Sequence, residues 1–520
     1  MADPHRCRHV GPDRGSGACR ARRVPQRHVA AAAGERLMRL LFWDRARPRA
    51  HRRGSADSRS LFALLRASAG VDARGPKRRR FILGGIVAMM AVLVTSPAFA
   101  IDIKTLTTPA GIKLWLVEDR TAPVIAISFS FEGGSAQDPA GKEGLAQLAA
   151  SLLDQGAGPY DAAAFKGRQE DIAARLSFGV SVDRFSGSVR MLREYREQSI
   201  DLLRLALTEP RLDADSIQRL QRQFVSGLKQ AEQSPGSVAN RTLLKAVFGS
   251  HPYGRPADGT VAGIEAITVD DLRQQVKRQF ARDRLRLAVV GDVTEAEIVA
   301  LVDRAFGSLP ATTGPADVPK WTPQASRPGG RTLVVAREVP QSVALIAMPS
   351  LKRDDPDWYA ATIMNHVLGG GGFSGRLMNE VREKRGLAYG AYSRLSTYRQ
   401  AGLLIASVGT ANERVAESVK IIREQLALMA TDGITEAELA DAKTYLNGAL
   451  ALTLDSTKSI AGLLLSMQVD GLAPDHMTRR KELIDRVTLA DVKRIAQRVL
   501  QLDATVTAVV GKPQGVTASE

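Results

Sequence analysis

Cysteine is almost missing from this chain of 520 residues: there are two, Cys7 and Cys19, both within the first twenty positions. Nothing after them can form a disulfide or a thiolate metal site. Histidine is nearly as scarce, with seven in all and only His251, His366 and His476 beyond residue 100. A broad positive charge is also missing, despite a formal net charge of +17. Residues 1–100 hold 21 of the 72 Lys and Arg but only 6 of the 55 Asp and Glu, a net of +15. The remaining 51 basic and 49 acidic residues leave positions 101–520 at +2, so no electrostatic case for a nucleic-acid partner survives.

The stretch "KRRRFILGGIVAMMAVLVTSPAFA", residues 77–100, accounts for the division. Lys77 to Arg80 form a positive n-region, Phe81 to Val94 an apolar run of 14, and Ala98-Phe99-Ala100 a small-x-small cleavage site. That is the layout of a secretory signal peptide cut after Ala100, which places the mature protein in the periplasm or outside the cell. A transmembrane anchor is the competing reading, but it needs about 20 apolar residues. Residues 1–76, rich in Arg, Ala and Gly, read as a disordered extension produced by a start codon assigned too early, with Val71 as the alternative start. A genuine basic arm is the other reading.

What remains contains a repeat. "ITVDDLRQQVKRQFARDRLRLAVVGDV" begins at Ile267 and "VTLADVKRIAQRVLQLDATVTAVVGKP" at Val487. Thr268 to Gly291 and Thr488 to Gly511 both span 23 residues, and the copies are offset by 220. In each, a Thr three residues before an Asp predicts an N-cap with an acidic first turn, then a helix and a strand ending in Val-Val-Gly. The Pro-, Gly-, Ser- and Thr-rich stretch 309–330 has no apolar period and reads as the joint, with the linker proper at 313–330. Two homologous domains follow, 101–312 and 331–514. Strands gathered at the ends of each with helices between predict an α+β fold, each domain a mainly antiparallel sheet packed with helices.

Two phrases carry a resemblance. "GGSAQDPAGKEGLAQLAASLLDQGAG" resembles the start of the active helix in the pitrilysin/insulinase family of zinc peptidases, which includes the mitochondrial processing peptidase. "GGGGFSGRLMNEVREKRGLAYGAYS" resembles the signature of that family's C-terminal half, and the likeness extends over essentially all of 101–515. It implies a clamshell chamber of which this chain forms half. The family's metal motif is His-x-x-Glu-His on a helix, two imidazoles sharing a face beside a general base. Aligned on Gly-Leu-Ala, Gln147 stands at the first His, Ala150 at the Glu and Ser151 at the second His. The third ligand, a Glu in the family, falls near Gly227 or Leu228, and no acidic residue lies between Ser216 and Ala231. An amide, a methyl and a hydroxyl neither hold zinc nor act as its base. Glu143 and Asp154, expected on about the same helix face one turn outside the motif, make a poor zinc site without a His. His251 reads as a turn residue and His366 as a packed helix residue.

The second phrase keeps its chemistry. After Gly369–Gly372, Ser374 would cap a helix with a buried stripe at Leu377 and Val381, ended by Gly386. "LAYGAYSRLSTY" then alternates as a strand. Arg382 in the last turn and Tyr389 early in the strand are positioned to converge. A guanidinium and a phenol supply donors able to hold a peptide carbonyl and the oxyanion formed from it. In the family an Arg and a Tyr seven residues apart do this across the zinc site, and Arg382 and Tyr389 match that spacing. Read without the resemblance, Arg382 pairs with a nearby carboxylate and Tyr389 is a half-buried strand aromatic. Gly370, Gly371, Gly372 and Phe373 are expected to contact peptide from a flexible loop, although a plain loop fits the same residues.

The resemblance thus implies a non-catalytic subunit with no metal of its own, paired with a zinc-bearing homologous subunit. It would bind peptide or unfolded polypeptide and supply Arg382 and Tyr389 in trans, with no nucleic-acid partner and no stable membrane anchor after signal cleavage. A stand-alone peptide-binding or chaperone-like module and a structural assembly subunit are the alternatives.

Overall fold

The computed structural model describes residues 101–314 and 318–519. The segments read from sequence as an extension, 1–76, and a signal peptide, 77–100, lie outside the described residues.

The first half opens with β1 (Lys104–Thr107), β2 (Lys113–Glu118) and β3 (Val124–Glu132), then α1 (Leu145–Leu152) and α2 (Ala162–Asp171). A hairpin follows, β4 (Arg175–Val180) and β5 (Arg184–Leu192). Next come α3 (Arg196–Thr208), α4 (Ala214–Ala231), α5 (Pro235–Phe248), α6 (Val261–Glu265) and α7 (Val269–Gln279). The half closes on β6 (Leu285–Gly291) and α8 (Glu295–Phe306).

The second half has β7 (Arg331–Ala336), β8 (Gln341–Pro349), α9 (Trp358–Asn365) and the short α10 (Arg376–Met378). Its hairpin is β9 (Ala388–Thr397) and β10 (Gly402–Ala411). After these run α11 (Val415–Asp432), α12 (Glu436–Leu452), α13 (Thr457–Val469), α14 (His476–Asp485), α15 (Leu489–Val499) and β11 (Val506–Gly511).

The sheets share one topology. The first has the order β1-β2-β6-β3-β5-β4 and the second β7-β11-β8-β10-β9, so β2 corresponds to β7, β6 to β11, β3 to β8, and the hairpins to each other. β2–β6 and β7–β11 are parallel and every other pairing is antiparallel. This is the α+β architecture of two like halves. The repeat seen in sequence is its closing unit. Thr268 with Asp271, and Thr488 with Asp491, form capping boxes at the starts of α7 and α15.

Phe129 and Phe131 on central β3 point into the first core, meeting Phe306 of α8 at 5.3 Å and Phe280 at 5.1 Å edge to face. The two halves are interlocked by exchanged helices. α13, from the second half, lays Ala461, Leu464 and Met467 on Trp115, Val117, Ala126, Ala288 and Val290 of the first sheet. α5, from the first half, sets Ala239, Leu243 and Val247 against Leu345, Ala347, Leu403, Ala508 and Val510 of the second. Tyr253 completes the joint: its hydroxyl donates to Asp183 at 2.6 Å and its ring stacks on Tyr398 at 4.9 Å. The described part of the 313–330 stretch has neither helix nor strand, yet it is pinned. Trp321 meets Phe248 edge to face at 5.1 Å, and Gln324 donates to the Ala246 carbonyl at 3.1 Å.

A helix without zinc donors and an arginine–tyrosine cluster

α1 is set in place by a carboxylate upstream of it. Gly144 takes a left-handed conformation at the N-cap (φ 104°), and Asp138 reaches back to accept the Gly144 N–H at 2.8 Å and the Ala146 N–H at 2.9 Å. Burial drives the Asp138 carboxyl up to about pKa 6, against the pull of these two backbone donors. The helix ends at Leu152, and a turn through Asp154 and Gln155 follows. Glu143 and Asp154 therefore fall outside α1, correcting their expected place on its face. Glu143 accepts the Gly141 N–H and Asp154 the Gln155 side chain.

Gln147 and Ser151 are half-buried, one turn apart, and Ala150 is buried in the first core. α4 still packs against α1, with Ile217, Leu220 and Leu228 on Leu145, Leu148 and Leu152. At the positions the resemblance assigns to the motif, α1 thus offers no zinc donor. Neutral amide and hydroxyl groups beside a methyl do not fit the ion. Leu228, near the third position, is buried among apolar side chains, and no described group of three or more His, Cys, Asp or Glu is placed to hold a metal.

His251 caps the short turn Pro252–Gly254, its Nε2 lying 2.8 Å from the Pro319 carbonyl. His366 begins a five-residue π turn, His366–Gly370, and stacks on the ring of Tyr445 at 4.7 Å. Burial lowers its pKa.

The glycine run is not the flexible loop expected of it. It is the end of this π turn followed by a 3₁₀ turn, Gly372–Ser374. A Cβ on Gly369 would strike the Ser393 backbone at 2.7 Å, and one on Gly371 the His366 carbonyl at 2.8 Å, so close packing requires glycine there. Ser374 does not cap the next helix. Its hydroxyl donates to the Gly371 carbonyl at 2.9 Å and Gly375 takes the cap position.

From α10 the chain widens into a second π turn, Asn379–Glu383, anchored by buried Leu377 and Val381. Gly386, at φ 60°, ends it, with Gly386 N–H donating to Arg382 O and Leu387 N–H to Val381 O. Across the hairpin, Ala388 pairs with Thr410 and Gly390 with Gly409, so Tyr389 is the unpaired residue of a β-bulge. Bulges re-aim side chains beside functional sites. Here Tyr389 is 70% exposed and Phe373 59%, and the Arg382 guanidinium carbon lies 4.9 Å from the centre of each ring.

The arginine is sandwiched between two aromatics, each contact worth about 0.5–1 kcal/mol at an exposed site. Its Nε is 3.4 Å from Glu383, while Nη1 is buried with no hydrogen-bond partner. The expected convergence of Arg382 and Tyr389 is present; of the competing reading, the nearby carboxylate is present in Glu383 and the half-buried strand aromatic is not.

Two contributors were not singled out in sequence. Arg376 forms parallel bonds of 2.7 and 2.6 Å to Glu438, tying the start of this unit to α12. Tyr445 lies on α12 against His366. Neither has a local signal, because the partners are 62 and 79 residues apart.

Comparison with known proteins follows the same lines. The profile described as "Insulinase (Peptidase family M16)" matches residues 113–261, and "Peptidase M16 inactive domain" matches 266–446. An uncharacterised zinc protease of Mycobacterium leprae is 30% identical over 305 residues, 58% of this chain and 68% of that protein. The chain belongs to the insulinase family of peptidases.

A second M16 relative, an uncharacterised zinc protease of Streptomyces coelicolor, is 30% identical over 332 residues, which take in 62% of this chain and 66% of that protein. A Helicobacter pylori protein named as a non-peptidase homologue is 28% identical over 66% of this chain and 78% of its own. Among solved structures, the peptidase M16 inactive domain from Pseudomonas fluorescens superposes with a TM-score of 0.75 at 29% identity, covering 81% of this chain and all of that one. Within M16 this chain is an inactive homologue, and Gln147, Ala150 and Ser151 on α1 offer no zinc ligand.

Proposed function

We propose that this M16 homologue is the exported, non-catalytic subunit of a two-chain zinc metallopeptidase. It pairs with a zinc-bearing homologue, helps enclose the chamber in which peptide is cut, and presents Arg382 and Tyr389 to the partner's site. The observation that carries this reading is the convergence of the Arg382 guanidinium on the exposed rings of Tyr389 and Phe373, in a chain whose α1 offers no zinc donors.

In this chain's share of the reaction, the guanidinium and the phenol donate to the carbonyl oxygen of the bound peptide. Their hydrogen bonds strengthen as that oxygen becomes negative, so the transition state is held more tightly than the ground state. The flanking ring of Phe373 keeps the guanidinium plane fixed, and hydrolysis itself belongs to the partner.

The test is peptide hydrolysis by the protein alone and co-expressed with a zinc-motif homologue from the same organism, with Arg382→Ala and Tyr389→Ala in parallel. Activity confined to the mixture, and lost in either variant while the complex still forms, supports the split site. A complex that never forms, with no stimulation, overturns it and leaves a stand-alone peptide-binding module.

A further inference from the structure

Register across the first sheet divides one of its faces into two chemically distinct parts. Along β2, β6 and β3 that face carries Trp115, Val117, Ala288, Val290 and Ala126, and α13 covers it. Further across, the apolar side chains stop. Ser128 on β3 stands opposite Ser188 on β5, which stands opposite Ser177 on β4. One row on, Ala126 stands opposite Arg190, which stands opposite Arg175.

Two arginines directly opposed on one face of an antiparallel pair repel each other. Both are exposed, and no described residue forms an ion pair or hydrogen bond with either side chain. They line a cavity of about 880 Å³ together with Lys458, Ser128, Ser177 and Ser188. Lys458 comes from the first turn of α13, so both halves of the chain supply charge to one space. Of the other charges around it, Lys166 and Glu170 are a loose pair on α2 at 3.9 Å, and Asp154 accepts from the Gln155 side chain. Four cations, Lys166, Arg175, Arg190 and Lys458, against the two carboxylates Asp154 and Glu170 leave the cavity at a net of +2.

We propose that this cavity recognises acidic residues of the bound polypeptide. A carboxylate between Arg175 and Arg190 converts their mutual repulsion into charge-assisted hydrogen bonds, and Lys458 adds a third positive charge above the sheet. The serine rows supply hydroxyls that donate or accept, which suits the polar backbone of an extended segment. Nucleic acid is the poorer fit, because no aromatic side chain lines the cavity to stack a base and residues 101–520 carry only +2. This inference rests on the reading of the chain as a polypeptide-binding subunit and adds a charge preference to it.

The experiment is fluorescence anisotropy with the protein and three labelled peptides of equal length, acidic, neutral and basic, at low salt and at about 0.5 M salt. The variant is Arg175→Glu, which places a carboxylate opposite Arg190. It exchanges a repulsive cross-strand pair for an attractive one, so the fold is retained and Tm is unchanged or raised. The acidic peptide is expected to bind about tenfold tighter than the neutral one at low salt. That preference should disappear at high salt and in Arg175→Glu. Equal binding of acidic and neutral peptides overturns the charge preference and leaves peptide binding standing, whereas failure to bind any peptide removes both. Displacement of the acidic peptide by an oligonucleotide that binds more tightly also overturns the proposal, in favour of a nucleic-acid site.

Discussion

The guanidinium carbon of Arg382 lies 4.9 Å from the ring centre of Tyr389, although a turn and a left-handed glycine separate them in the chain. Three departures from regular structure bring this about: the π turn that carries Arg382, Gly386 at its end, and the bulge that leaves Tyr389 unpaired. Irregular backbone concentrated at one place, with an unsatisfied buried donor in its midst, marks a functional site more strongly than either residue does alone.

Function and stability are expected to separate at Arg382. Arg382→Lys keeps the charge but not the planar fork, and partner-dependent kcat should fall about 10²–10³-fold. Tm should hold or rise in Arg382→Met, because a buried nitrogen without a partner is removed. Thermal melts beside kinetics of the two-chain complex check this, and a large drop in Tm would mark Arg382 as structural instead.

Asp138 makes the folded state sensitive to pH. Its carboxyl rises from an ordinary 3.8 to about 6 on folding, chiefly through burial. A carboxyl that is harder to ionise when folded contributes most below about pH 4 and loses that contribution as pH climbs to about 6, a change of about 3 kcal/mol. Asp138→Asn should flatten the difference between urea-unfolding curves at pH 4 and pH 6.5. Asp138→Ala, which strands two backbone donors at the start of α1, should lose about 1–2 kcal/mol at either pH. Parallel pH curves for wild type and Asp138→Asn would show that the group does not titrate as described.

Restoring the motif letters should not restore a peptidase. In the triple variant Gln147→His, Ala150→Glu, Ser151→His, the new carboxylate enters a position that is 3% exposed, beside a cavity of only about 10 Å³. Burying it costs several kcal/mol, about 3 or more. The third ligand is still missing at Leu228. Metal analysis should find no bound zinc and hydrolysis should stay at background; stoichiometric zinc in the triple variant would overturn this account of the site.

The exchanged helices make the two halves a single folding unit. Leu464 is fully buried between α13 and the first sheet, so Leu464→Ala should destabilise the protein by about 2–5 kcal/mol. Trp115 reports on the first sheet and Trp321 on the surface of the second. Single-tryptophan versions should unfold in coincident urea transitions, and two separated transitions would mean that the halves fold independently.

The sequence by itself determined what depends on short spacing. Thr268 with Asp271 and Thr488 with Asp491 announced capped helices, since a capping box is built within one turn. The 23-residue span to Gly291 and Gly511 announced two like halves for the same reason of local periodicity. Gln147, Ala150 and Ser151 were legible as non-ligands because donor chemistry is a property of residue type. Arg382 and Tyr389 were legible because a turn and a strand fold back within seven residues.

Tertiary structure decided everything carried by distant partners. The glycine run became a packed π turn because Ser393 and His366 press on it. Asp138, not a residue next to the helix, holds the first turn of α1. Phe373 closes on Arg382 from a turn that no periodicity describes. The opposition of Arg175 to Arg190 follows from strand register, which is set by the burial of the other face through Leu176 and Val189. Exchange of α5 and α13 between the halves has no local signal at all, since the surfaces they cover exist only once both sheets have formed.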